Sequence, residues 1–181
     1  MPIWFRKGPS PHRTALAMIG AKAGDHVVIA GAHDPELAAA VARITGLNGQ
    51  TTVFDDRAGA QQRIEAAARD AGALIDFEPA AAHSLPLDAA ARDIVVLVTR
   101  LEPMDDARRL ACVQEAIRVL RPGGRVIIVD GARRAGLSRV LPDHGSRLQS
   151  EDALALLERA GAKAKRQLAD VDGVAFYEGR K

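Results

Sequence analysis

Cysteine is almost missing from this 181-residue chain. Cys112 stands alone, which excludes an internal disulfide framework and every multi-cysteine zinc pattern. Aromatic residues are scarce as well, with one Trp, one Tyr and four Phe, so there is no obvious platform for stacking bases. No strong charge of one sign is present: 25 Lys and Arg against 23 Asp and Glu leave a formal net charge of +2. That imbalance is too small for the basic stripe that nucleic acid would need. No apolar run approaches the ~18 residues of a membrane-spanning helix. The opening MPIWFRKGPSPH also lacks the apolar core of a signal peptide. These absences predict a cytoplasmic protein with no nucleic-acid partner and no membrane span.

What is present is 48% hydrophobic residues, enough for a proper core. A domain of this length removes roughly 70% of its unfolded surface from water. Short β-branched runs alternate with longer helical patterns, the mark of a parallel sheet covered by helices. His26 to Gly31 (HVVIAG) is apolar throughout, as a strand buried on both faces should be. Asp34-Pro35-Glu36 then offers an N-cap, a proline at the first helical position and an early negative charge. Thr51 to Asp55, Leu74 to Glu78, Asp93 to Thr99 and Arg125 to Asp130 read as further strands. Between them lie helical patterns over Ala58–Ala71 and Asp105–Leu120, the second ended by an Arg121-Pro122-Gly123-Gly124 turn. A helix over Gln149–Ala160 and a hairpin follow, its strands Lys163–Leu168 and Val174–Glu178 joined by Asp170-Val171-Asp172-Gly173. The expected fold class is α/β: a doubly wound, mostly parallel seven-stranded sheet with an antiparallel last strand. Residues 1–19 are expected to be a lead that can be ordered in part, and residues 20–181 a single domain.

In such sheets ligands bind outside the carboxyl ends of the strands, at the switch point beside the first one. Gly31-Ala32-His33-Asp34-Pro35 occupies that turn, where backbone N–H groups and a helix N-terminus suit an anionic group. Asp55 ends the second strand, where a carboxylate can accept hydrogen bonds from both ribose hydroxyls. An ordinary strand-ending carboxylate would look the same.

Residues 116–130, AIRVLRPGGRVIIVD, resemble the helix, LRPGG turn and fifth strand of class I S-adenosylmethionine-dependent methyltransferases of the quinone-biosynthesis and small-molecule type. Ser84-Leu85-Pro86-Leu87 is similar to that family's LPF segment. Leu156 to Gly161 and Val174 to Lys181 resemble its closing helix and last strand. The resemblance runs from about Gly20 to Lys181 and implies a Rossmann-like methyltransferase fold, S-adenosylmethionine as cofactor and a small-molecule substrate. It also implies cofactor contacts at Gly31, Ala32, His33 and Asp55.

The departures gather at that site. Of the family's Gly-x-Gly-x-Gly loop only Gly31 remains, with His33 and Pro35 at the other two glycines. The acidic position two before the first glycine is Ile29, and the acid that contacts adenine aligns with Ala81. His33 places an imidazole where the methionine end of the cofactor would lie, so it fills the pocket, hydrogen-bonds the cofactor carboxylate or faces solvent. These losses keep open an alternative: a catalytically inactive binding or assembly module that has lost the cofactor.

Other candidates are thinner. His83 and His144 sit in loops that can reach the cleft from opposite sides, and Arg100 can hold an anionic substrate or pair with Glu102 or Asp105. Cys112 lies within a helical pattern and reads as a buried structural thiol. Trp4 and Phe5 in the lead fold over the cleft, pack on a second copy in a homodimer, or belong to a loose terminus. No metal site and no catalytic residue stand out.

Overall fold

The computed structural model describes residues 12–98, 101, 103–131, 148–171 and 173–181. Its elements run α1 (Arg13–Ile19), β1 (His26–Ala30), α2 (Pro35–Thr45), β2 (Gln50–Phe54), α3 (Ala60–Ala71), β3 (Asp76–Glu78) and β4 (Arg92–Leu97). Then come α4 (Asp106–Val119), β5 (Leu120–Asp130), α5 (Ser150–Arg159), β6 (Ala164–Val171) and β7 (Val174–Arg180). The seven strands form one sheet in the order β3-β2-β1-β4-β5-β7-β6. β1 pairs in parallel with both β2 and β4, so the winding direction reverses at its carboxyl end. β7 runs antiparallel to both β5 and β6, which makes it the reversed strand of the expected fold.

Alternation along the strands divides the core into two layers. Val27, Ile29, Val53, Ile94, Val96 and Ile127 pack with α1, α2 and α3, while Val28, Phe54, Val95, Leu97, Val126 and Ile128 pack with α4 and α5. The best-marked helix start holds: the Asp34 side chain accepts from Leu37 N at 2.9 Å, with Pro35 at the first position of α2.

Three features go beyond the sequence reading or differ from it. The stretch before Gly20 forms α1, whose Ala15 and Ile19 are buried and whose last carbonyls receive the Arg125 guanidinium, at 2.7 Å from Ile19 O. Seven residues are too few to announce a helix by periodicity, and packing supplies the rest. The Arg121–Gly124 turn lies inside β5 as a bulge, because Arg92 pairs with Leu120 while Ile94 pairs with Arg125. Gly123 takes φ +80° there, and a Cβ on Gly124 would stand 2.9 Å from Arg121 O. Finally, β3 pairs with β2 over three positions only, which leaves Leu74 outside the strand and 74% exposed.

Candidate functional site

The carboxyl ends of β1, β2 and β3 bring three loops together. Gly31 leaves β1 at φ +103°, a left-handed conformation that glycine takes at little cost. Its N–H donates to Phe54 O at 2.8 Å, which locks the turn after β1 to the end of β2. The next N–H, of Ala32, donates to Asp55 Oδ2 at 2.6 Å. Gly31, Ala32 and Asp55 are thus brought together as the sequence implies.

Asp55 has a further partner that sequence reasoning missed. Arg57 binds the carboxylate through its backbone N–H at 2.9 Å, through Nε at 2.9 Å to Oδ1, and through Nη2 at 2.6 Å to Oδ2. Burial alone would push the Asp55 carboxyl up. The Arg57 side chain and the Ala32 and Arg57 amides outweigh it and bring the pKa down to about 2. The signal for this pairing was a basic residue two places after the strand-ending acid, but only the path of the loop turns it back.

His33 is exposed, and its Nδ1 lies 3.0 Å from Arg57 Nη1. A guanidinium only donates, so Nδ1 accepts and the imidazole proton sits on Nε2. His33 is exposed with its ring tied to Arg57, and it also lines the cleft at this end of the sheet.

A cleft of about 240 Å³ lies between this cluster, the Ala80–His83 segment and the start of α4. Ala81 and His83 both line it, as do Met104, Arg108 and Cys112. The Ser84–Leu87 segment is pinned beside it: Leu85 N donates to Glu115 Oε1 at 2.8 Å, and Arg118 Nη2 donates to Leu85 O at 3.1 Å. Arg100, His144, Trp4 and Phe5 lie outside the described residues. Among the described residues, no group of three His, Cys, Asp or Glu side chains is placed to hold a metal ion. No helix there is long and apolar enough to cross a membrane.

Cys112 is buried, as its helical setting implies, with Sγ 4.0 Å from Met104 Sδ at the cleft wall. Burial pushes its thiol up to about 11 against the lowering effect of Arg108. The native thiol is therefore expected to alkylate at least ~10-fold more slowly at pH 8 than in urea, read by mass spectrometry after iodoacetamide. Equal rates would mean that the cleft floor opens to solvent.

A family model described as a methyltransferase domain matches residues 27–124, from β1 to the bulge in β5. No curated protein sequence matches the chain. Among solved structures, an S-adenosylmethionine-dependent methyltransferase from Aquifex aeolicus is similar at 16% identity and a TM-score of 0.75, over 93% of this chain and 88% of that one. The cyclase SpnF is similar at 19% identity and 0.72, over 93% and 78%. An arsenic(III) S-adenosylmethionine methyltransferase from Chlamydomonas reinhardtii is similar at 23% and 0.64, over 86% and 62%. At these identities the likeness concerns the fold.

Proposed function

Because the chain belongs to the methyltransferase-domain family, of the class I S-adenosylmethionine-dependent type, we propose that its cleft binds S-adenosylmethionine and that a small molecule receives the methyl group. The observation that carries this reading is the joined turn of Gly31, Ala32 and Asp55. A left-handed glycine with no Cβ, a helix N-terminus at α2 and a carboxylate held ionised down to about pH 2 support the binding of a nucleoside and an amino-acid carboxylate at this turn.

The residues fit the cofactor in kind. Asp55 is the ribose acceptor, Gly31 allows close approach of the backbone, and His33 stands over the same turn. Ala81 adds no acid for the adenine, which removes one charge-assisted hydrogen bond and leaves the rest. Bound there, the cofactor supplies a sulfonium methyl to an incoming nucleophile. The protein's own part is to bind, orient and exclude water, since such a transfer depends mainly on in-line placement. The cleft is walled in part by Ala80–Ala82, Met104 and Cys112, an apolar lining beside the polar cluster of Asp55 and Arg57.

Calorimetric titration with S-adenosylhomocysteine, using NADH as the control, tests the reading. Saturable binding of the first below ~1 mM is expected, with a rise in melting temperature. A folded protein that ignores S-adenosylhomocysteine at that concentration would overturn the proposal.

A further inference from the structure

We infer that Arg57 is a built-in competitor for the ribose site, a specificity-determining residue that must swing off Asp55 before any nucleoside can settle there. The inference rests on the proposed cofactor reading and adds a cost and a moving part to it.

A carboxylate offers about four acceptor positions. On Asp55 they are taken by Ala32 N at 2.6 Å, Arg57 N at 2.9 Å, Arg57 Nε at 2.9 and 3.2 Å, and Arg57 Nη2 at 2.6 Å. The acid side chain is only 4% exposed, so no further donor reaches it from water. A ribose diol brings two O–H donors and needs both oxygens.

The two backbone N–H donors belong to the fixed turns after β1 and β2 and cannot leave. The Arg57 side chain is 40% exposed and can rotate into solvent. It is therefore the donor that yields. Its Nη1 also lies 3.0 Å from His33 Nδ1, so releasing Arg57 gives up that hydrogen bond in the same movement.

A site that is closed most of the time binds with its intrinsic affinity reduced by the open fraction. Hydrogen bonds to charged groups are strong enough to make that reduction ~10- to 100-fold. Removing the guanidinium should restore it, because Asp55 then faces the ligand with free acceptors.

The test is calorimetric titration of wild type, Arg57→Ala and Arg57→Gln with S-adenosylhomocysteine, each checked for a cooperative thermal melt. Affinity should rise ~10-fold or more in Arg57→Ala and by less in Arg57→Gln, which keeps one donor. Equal or weaker binding in both, with wild type binding normally, overturns the competition and leaves the cofactor reading standing. Failure of all three proteins to bind overturns both. A second measurement needs no variant: the Arg57 Nε–H resonance in a nitrogen-labelled sample should be protected in the free protein and lose protection at saturation. Protection that survives saturation overturns the inference.

Discussion

Glu178→Ala is expected to destabilise the protein by about 3 kcal/mol, toward the lower end of the range for stripping one partner from a buried ion pair. Glu178 lies in β7, between β5 and β6, and its side chain is only 3% exposed. Its Oε1 accepts from Arg125 Nη1 at 3.2 Å and its Oε2 from Arg166 Nε at 2.7 Å. Burial pushes the carboxyl up, but the two arginines outweigh it and hold it below the usual range. Arg166 and Arg180 are more than half exposed and turn to water when the acid is gone. Arg125 cannot, being largely buried and engaged with the Ile19 and Gly20 carbonyls. Most of the loss thus falls on one stranded guanidinium and on the docking of α1. Urea unfolding measures the total, and amide exchange in α1 should quicken first. Glu178→Gln keeps an acceptor and should lose only about 1–2 kcal/mol. If alanine were no worse than glutamine, the buried charge would not be what holds this corner together.

That network shows where the sequence stops being readable. VAFYEGR looks like a strand with a polar face, yet Glu178 is buried because β7 inserts inside the sheet and not at its edge. Of its partners, Arg166 faces it across the β6–β7 hairpin and Arg180 lies two residues on, but the buried one, Arg125, comes from β5, 53 residues earlier in the chain, a pairing no local pattern encodes. β1 and β4 were legible because strands covered on both faces must be apolar throughout. α2 was legible because Asp34 and Pro35 mark its start. α1 was not, since a seven-residue helix owes its existence to Ile19 and Arg125 and not to propensity. At the site the same division holds: the positions of Gly31 and Asp55 follow from strand ends, which periodicity locates. The pairing of Arg57 with Asp55 follows from the path of a loop, and a basic residue two places after the acid is too common a pattern to announce it.

Asp55→Ala is expected to act in the opposite direction from Arg57→Ala on the same ligand, and the contrast separates contact from scaffold. Without the carboxylate, affinity for S-adenosylhomocysteine should fall ~10- to 100-fold through lost hydrogen bonds to the ribose. Freeing Arg57 gains nothing when its partner is absent, so the double variant should bind no better than Asp55→Ala alone. Stability should fall as well. The folded pKa of about 2 lies below the ordinary 3.8. The ionised acid therefore contributes about 2 kcal/mol above pH 4. That contribution is lost as pH falls from about 4 through about 2, because the unfolded chain takes up the proton first. Wild type should weaken across this window, and Asp55→Ala should follow a flatter course through it. Parallel pH–stability curves for the two proteins would show that Asp55 titrates normally, and would remove the reason for treating its carboxylate as held ionised by Arg57 and Ala32. If the variant instead flattens the curve yet binds S-adenosylhomocysteine as wild type does, Asp55 is a structural acid that ties β1 to β2, and the ribose must be held elsewhere in the cleft.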